Sequence, residues 1–229
     1  ARPKHVFRTA FDIAPEASAV CTPEFNALMD REGGGALVQG NGARLLTNGC
    51  EAFPAMLDAI ARARKRISCQ TYIIRSDEVG RKVIDALIAA AERGVEVRFV
   101  YDDVGGRGFS APDRKRLSAG GVQCRIFNPI WNWTVARLNN RNHRKILVVD
   151  GNTGFVGGLN FATEYDGDGI SGWRDTAVEI RGPAAFELEK VFAASWEQAG
   201  AGFVGKDLPI IAFSPLKSWL DMPVRTISG

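Results

Sequence analysis

Apolar residues recur between positions 43 and 127 with two alternating spacings. Compact apolar runs, typical of buried strands, lie at 43–47, 67–74, 95–102 and 122–127. Segments with apolar positions three and four residues apart, typical of helices, lie between them at 50–66, 77–94 and 111–121. Strands that alternate with helices of this length predict a layered α/β domain whose sheet is covered on both faces.

The pattern continues in the second half of the chain with a hairpin. Two predicted strands at 144–150 and 154–158 are joined by Asp150-Gly151-Asn152, a sequence that favours a tight turn. A further strand at 175–182 leads into a helix at 183–199, which begins with a proline in its first turn. These elements add strands to the predicted sheet and a helix to one of its faces.

Two segments of different composition flank this regular pattern. We interpret residues 1–39 as an N-terminal arm with one short helix, because three consecutive glycines separate it from the strands and helices that follow. Residues 40–199 form the predicted domain. We interpret residues 200–229 as a C-terminal tail or a linker to a second half. The tail is rich in proline and apolar residues, so it needs a surface on this domain, on a second copy, on a further domain or on a membrane.

The composition is that of a globular protein with a weak preference for anionic partners. Of the 229 residues, 45% are hydrophobic and 24% are charged, and the formal net charge is +3. A dedicated nucleic-acid-binding domain is usually far more basic. No run of apolar residues predicts a transmembrane helix, and the N-terminus lacks the apolar stretch of a signal peptide. The four cysteines are far apart, which favours free thiols over a zinc site or a disulfide framework.

The chemistry of the chain is concentrated in one motif, H-x-K-x4-D-x6-G-G-x-N, which runs from His143 to Asn160. Because side chains alternate along a strand, His143 and Lys145 are expected to point to the same face. A neutral imidazole is a competent nucleophile toward phosphorus, and a nearby ammonium stabilises charge on the phosphoryl oxygens. We therefore predict His143 as a nucleophile and Lys145 as a phosphate ligand. The chain has one other histidine, His5, which has no lysine two residues later.

Other residues are expected to complete this site. Asn160 can donate an amide N–H to a phosphate. Gly157 and Gly158 lack Cβ atoms, which permits close approach of the backbone to a substrate. A nucleophilic histidine needs an acceptor, preferably a carboxylate, to fix its tautomer, and Asp175 is the first candidate and Glu164 the second.

Three further aspartates have open assignments. Asp150 belongs to the motif and is therefore a candidate catalytic residue, but its place in the turn favours a role in holding the loop. Asp102 and Asp103 end a predicted strand, and they either face the site or serve as turn carboxylates. The sequence alone does not decide between these roles.

The motif and its flanking segments resemble the HKD signature of the phospholipase D superfamily, and most closely the N-terminal half of bacterial cardiolipin synthases and related phospholipases. The resemblance covers residues 40–198 and includes QTYIIRSDEVGRKVIDALIAAAERGVEVRFVYDDVGG and WRDTAVEIRGPAAFELEKVFAASW. It implies an α-β-α sandwich with a mixed central sheet. It implies that His143 is the nucleophile or its partner acid/base, that Lys145 and Asn160 bind phosphate, and that Asp175 orients the histidine. It also implies no metal and no cofactor, and the sequence has no clustered histidine or cysteine ligands.

The chain departs from these relatives because it carries one HKD motif where they carry two. In two-motif enzymes, one histidine attacks phosphorus, while the other protonates the leaving alkoxide and activates the incoming alcohol or water. We therefore expect this chain to need a second HKD half, which would come from a homodimer mate, another chain or a stretch beyond PVRTISG.

The expected function is that of a phospholipase D-type phosphodiesterase or phosphatidyltransferase, similar to cardiolipin synthase, that acts on phospholipid through a phosphohistidine. The protein would be located in the cytoplasm or on the surface of the inner membrane of a bacterium. Two alternatives stay open. A single-motif homodimeric phosphodiesterase nuclease is disfavoured by the modest charge, and a non-catalytic half-domain or interaction module is disfavoured by the intact His-Lys-Asn set.

Overall fold

The computed structural model describes residues 22–24, 27–28, 38–129, 141–200 and 221–224. The strands are β1 (Val38–Thr47), β2 (Arg66–Thr71), β3 (Glu96–Asp102), β4 (Gln123–Phe127), β5 (Ile146–Val149), β6 (Thr153–Gly157), β7 (Thr176–Arg181) and β8 (Asp221–Val224). The α-helices of four residues or more are α1 (Asn48–Arg62), α2 (Glu78–Glu92), α3 (Ala111–Ala119) and α4 (Pro183–Gln198). Short 3-10 helices lie at Gly105–Gly108 and Thr163–Tyr165.

These strands form one mixed sheet in the order β4-β3-β2-β5-β6-β7-β1-β8. The neighbours β4, β3 and β2 are parallel, and α2 and α3 connect them. The remaining neighbours pair antiparallel. The predicted strands and helices are thus present with shifted ends, and β8 is an additional strand within the segment interpreted as a tail. The predicted short helix of the arm lies largely outside the described residues, and the domain boundaries stay predictions.

The sheet is covered by helices on both faces, which confirms the layered α/β fold class. The helices α1, α2 and α3 pack through residues such as Phe53, Leu87 and Leu117 against one face. Leu188 and Phe192 of α4 pack against the other face. Consecutive residues of a strand therefore pack into the hydrophobic clusters on opposite faces of the sheet, as the alternation of side chains along a strand requires. Within the described residues, no helix is long and apolar enough to cross a lipid bilayer.

Strand direction brings several distant chain segments to one edge of the sheet. Gln70, near the end of β2, pairs with Ile146 at the start of β5. Gly157 at the end of β6 pairs with Ala177 at the start of β7. The parallel strands β3 and β4 end on the same side as β2. The segments before β5, after β6 and before β7 consequently meet at this edge, where ligands commonly bind in α/β sheets.

The hairpin turn between β5 and β6 lies at the opposite edge of the sheet, where β5 ends and β6 begins. Asp150 and Gly151 have φ values of +53° and +70°, which is the left-handed pair of a tight hairpin turn. The Asp150 carboxylate accepts backbone N–H bonds from Arg64, Lys65 and Arg66 at 3.0, 2.8 and 3.0 Å. Asp150 thus joins the hairpin to the loop that connects α1 and β2.

Replacement of Asp150 by alanine is expected to lower the free energy of unfolding by about 1–3 kcal/mol, because three backbone donors lose their acceptor. Urea unfolding measures this change. Asp58→Ala is the control, because Asp58 forms an exposed ion pair with Arg62 and should contribute at most about 0.5 kcal/mol. Equal stability of the two variants would show that Asp150 does not anchor the loop.

Candidate active site

The imidazole of His143 and the ammonium of Lys145 meet immediately before β5. Lys145 Nζ lies 3.0 Å from His143 Nδ1 and donates a hydrogen bond to the His143 carbonyl oxygen at 2.7 Å. Since β5 begins at Ile146, the pair precedes the strand instead of lying within it. The predicted proximity of the two side chains is nevertheless present. His143 is exposed, whereas Lys145 is only 8% exposed.

Burial and neighbouring charges make both groups less basic than usual. Burial lowers the pKa of Lys145 to about 8, and the nearby Asp175 carboxylate acts in the opposite direction. Burial and the Lys145 charge lower the pKa of His143, while Asp102 opposes this shift. At neutral pH the imidazole is therefore mainly neutral and the ammonium largely charged. These are the states that a nucleophile and a phosphate ligand require.

Tyr72 forms one wall of this site and was missed by sequence reasoning. Its ring centre lies 4.6 Å from that of His143, with the two planes inclined by 46°. Lys145 Nζ lies 5.4 Å from the same ring centre, within the range of a cation–π contact. Tyr72 directly follows β2, so the pairing of β2 with β5 brings it to the site. Its position near the end of a predicted strand was the one available signal.

Asn160 lies at the same edge, but its amide is engaged in protein contacts. It is buried, and its Oδ1 accepts a hydrogen bond from the backbone N–H of Ile73 at 2.9 Å. Its Nδ2 donates to the Tyr165 hydroxyl at 2.7 Å. These bonds tie the segment after β6 to the segment after β2. Binding of phosphate by Asn160 stays a prediction, which requires an amide donor to turn from its present partner.

The glycine pair is required by packing against β7. A Cβ atom on Gly157 would lie 2.4 Å from the carbonyl oxygen of Thr176, and one on Gly158 would lie 2.2 Å from Asp175 Oδ1. The space beside both glycines is therefore filled by a neighbouring strand and a carboxylate. The role of the two glycines in substrate binding stays a prediction. Their effect is to let Asp175 lie directly against the backbone.

The two carboxylates predicted to orient His143 have other partners. Asp175 Oδ1 accepts the backbone N–H of the next residue at 2.7 Å, and the Asp175 charge acts on Lys145. Glu164 forms a two-point ion pair with Arg75, at 2.9 and 3.1 Å. Within the part of the chain that the structure describes, neither carboxylate is hydrogen-bonded to the His143 ring. The roles of Asp175 as orienting residue and of Glu164 in substrate binding stay predictions.

Asp150 lies outside the site. It follows β5 at the opposite end from Lys145, and five residues of extended chain span about 16 Å. Its contacts are those of a loop anchor, as the alternative assignment expected. The assignment of Asp150 to the catalytic residues is therefore wrong, because a motif residue separated by a whole strand cannot reach the same substrate atom.

Asp102, by contrast, is hydrogen-bonded to the backbone next to the site. Its side chain is fully buried at the end of β3. One carboxylate oxygen accepts the backbone N–H of Asn142 at 3.2 Å, and the other accepts that of Val104 at 2.9 Å. Arg141 lies 3.6 Å away. The role of a turn carboxylate left open by the sequence thus applies to Asp102, which also holds the segment that carries His143, and its role in facing the site stays a prediction.

A family model described as "Cardiolipin synthase, PLD-like domain" matches residues 56–196. The chain is 39% identical over 178 residues to cardiolipin synthase 1 of Bacillus anthracis, which covers 76% of this chain and 35% of that protein. It is 44% identical over 156 residues to cardiolipin synthase 2 of the same species, which covers 67% and 30%. The chain thus spans about a third of the length of these relatives.

Two solved structures share the fold. NucT from Helicobacter pylori matches with a TM-score of 0.56 and 13% identity, over 69% of this chain and 97% of that chain. Nuc from Salmonella typhimurium, described as a phospholipase D family member, matches with a TM-score of 0.54 and 24% identity, over 69% and 95%. At these identities the likeness concerns the arrangement of strands and helices.

The pKa of Lys145 predicts how anion binding depends on pH. Sulfate keeps its charge between pH 6 and 10, so calorimetric affinity for sulfate should fall progressively above about pH 8 as Lys145 loses its proton. Lys145→Ala should remove this pH dependence along with most of the affinity. Lys65→Ala is the control, because Lys65 is exposed at the opposite edge of the sheet. Equal binding by Lys145→Ala and the unmodified chain would contradict the assignment of Lys145 as an anion ligand.

Proposed function

The chain belongs to the family of cardiolipin synthase PLD-like domains, and from this premise we propose that it is one half of a phospholipase D-type phosphodiesterase or phosphatidyltransferase acting on phospholipid. The observation that carries the proposal is the contact between the His143 ring and the buried ammonium of Lys145. A nucleophile and a cation this close can act on one phosphoryl group, because the cation stabilises the charge that develops during attack.

The proposed reaction proceeds by two displacements at phosphorus. His143 attacks through Nε2, a phosphorus–nitrogen bond forms, and the bond to the leaving alkoxide breaks. Water or an alcohol then attacks the phosphohistidine and releases the imidazole. Attack through Nε2 requires a proton on Nδ1, where Lys145 now makes contact. A bound phosphate would draw the ammonium toward its oxygens and free Nδ1 to hold that proton.

The leaving alkoxide needs a proton, and His143 is the one histidine among the residues that the structure describes. His5 lacks the motif, so we propose that a second HKD half provides the acid. A homodimer mate, another chain or further sequence of a longer polypeptide would supply it, and the curated relatives are more than twice as long as this chain. We further propose that the assembled enzyme works at a membrane surface, as a cytoplasmic or peripheral inner-membrane protein of a bacterium.

A second candidate is a homodimeric phosphodiesterase nuclease, which the presence of a single motif favours. Both candidates use the same nucleophile, so they differ in the alcohol part of the substrate. Plasmid DNA beside phosphatidylglycerol vesicles distinguishes them directly. A nuclease should also lose affinity for DNA steeply with added salt, because each phosphate contact releases bound counterions.

Replacement of His143 by alanine is expected to lower turnover of phosphatidylglycerol by roughly a thousandfold or more, because no nucleophile remains. The assay uses the assembled particle, whose mass is measured by sedimentation, and His5→Ala is the control that keeps full turnover. Brief reaction with phosphorus-labelled lipid should leave acid-labile, alkali-stable label on the unmodified chain and none on His143→Ala. Chelators should leave turnover unchanged.

The outcomes of this experiment separate the candidates. Turnover of DNA and not of lipid would support the nuclease. Turnover of neither by an assembled particle would support a non-catalytic interaction module. Full lipid turnover by His143→Ala would contradict the proposed mechanism.

A further inference from the structure

We propose that residues 166–174, which we call the rim loop, dock the protein on a phospholipid bilayer beside the candidate active site, with Ile170 and Trp173 as the apolar contacts. This inference deepens the proposed function and rests on it, because a bilayer matters to the reaction only if the substrate is a phospholipid. It assigns to one loop the membrane contact that was proposed above for the whole enzyme.

The rim loop holds two of the four large apolar side chains that are exposed in the part of the chain that the structure describes. Ile170 is 86% exposed, and Trp173 is 57% exposed. The other two are Leu28 and Leu45, which lie outside this loop. Large apolar side chains exposed close together on one loop form an apolar surface, and such surfaces mark sites of contact with proteins, ligands or membranes.

The rim loop lies at the edge of the sheet that carries the candidate active site. It follows the 3-10 helix Thr163–Tyr165 and ends before β7, whose start meets the end of β6 at that edge. The Trp173 ring packs edge-on against the Tyr165 ring, with the ring centres 5.1 Å apart. The Tyr165 hydroxyl in turn accepts an amide N–H from Asn160, a predicted phosphate ligand. A bilayer that contacts the loop would therefore lie beside the site that receives the phosphate.

Hydrogen bonds hold the rim loop in one conformation without its apolar side chains. The Asp168 carboxylate accepts the backbone N–H groups of Ile170 and Ser171 at 2.9 and 3.1 Å. The Asn48 side chain, at the start of α1, donates to the Asp168 carbonyl oxygen at 2.9 Å and accepts the backbone N–H of Asp175 at 3.0 Å. The loop is thus tied to α1 near both of its ends. Because the turn is already formed, little conformational entropy is lost when Ile170 makes a contact.

The charges of the rim loop favour an apolar contact over an electrostatic one. Asp166, Asp168 and Arg174 give the loop two negative charges and one positive charge. An anionic lipid surface attracts clusters of basic residues, so it does not attract this loop. Tryptophan is enriched where proteins meet the bilayer interface, because its ring is apolar and its N–H is polar. The contribution of the loop should therefore come from Ile170 and Trp173, and it should depend little on salt.

The size of this apolar surface also favours a bilayer over a protein partner. A stable protein interface buries about 800 Å² on each partner and involves roughly 20–30 residues a side. The rim loop has nine residues, and two of them are large and apolar. A bilayer, by contrast, can bind a protein through a few apolar side chains that reach past the headgroups.

Sedimentation with phosphatidylglycerol vesicles tests the docking without any need for turnover. Burial of an isoleucine side chain is worth roughly tenfold to a hundredfold in affinity. Ile170→Ser should therefore weaken vesicle binding of the assembled particle by about tenfold or more, at low and at high salt alike. Ile170→Leu should bind like the unmodified chain. Leu45→Ser is the matched control and should also bind normally, because Leu45 is 61% exposed but lies within β1.

The same set of variants gives the outcomes that would overturn the proposal. These are no vesicle binding by the unmodified particle, unchanged binding by Ile170→Ser, or an equal loss in Leu45→Ser. A lower particle mass of Ile170→Ser in sedimentation would instead assign the loop to a contact between protein chains. Trp173 provides a second pair, in which Trp173→Ser should weaken vesicle binding and Trp173→Phe should keep most of it.

Turnover separates docking from the chemistry. On vesicles, Ile170→Ser should raise the apparent KM by about tenfold and leave kcat unchanged, because the reacting groups are intact. On dihexanoyl phosphatidylglycerol, dissolved below its micelle concentration, kcat/KM should be unchanged. An equal loss on the dissolved lipid would show that the loop holds the acyl chains of the substrate, which would overturn docking on a bilayer. Intact vesicle binding without turnover by the unmodified enzyme would count against the proposed function and not against the docking.

Discussion

The antiparallel pairing of β5 with β2, in the middle of a mixed sheet, is the constraint on which the site depends. It reverses the direction of the chain, so that the start of β5 lies beside the ends of the parallel strands β2 and β3. A shift of this register by one residue would turn Lys145 to the other face of the sheet. The buried apolar residues of β5 resist such a shift, because alternate positions pack into different hydrophobic clusters.

This register creates an unusual environment for a lysine. Its ammonium is withdrawn from water, which lowers its pKa to about 8, yet the His143 carbonyl, the Tyr72 ring and the Asp175 charge all favour the charged form. A cation with few water contacts interacts strongly with an incoming anion, because little hydration remains to be displaced. Burial of the adjacent imidazole and the charge of Lys145 lower the pKa of His143, which favours its neutral form.

The resemblance to phospholipase D-like domains is confirmed, and the structure gives physical reasons for several residues of the motif. The absence of side chains at the glycine pair allows β7 and the Asp175 carboxylate to pack against the backbone there. Asp150 anchors a loop at the far edge of the sheet. Asn160 connects two segments at the site edge. A short sequence motif thus contains residues that fold the chain together with those that face the substrate, and spacing does not separate the two groups.

The sequence by itself determined the local features of this protein: alternating strands and helices, the hairpin turn at Asp150 and the nearness of His143 to Lys145. These follow from periodicity and turn chemistry, which act over a few residues. The tertiary structure alone decided that Tyr72 contacts His143, that Asp102 binds the backbone of Asn142, that Glu164 pairs with Arg75, and that β8 joins the sheet. These contacts join residues far apart in the chain, and they exist only because strand order and register bring their segments together.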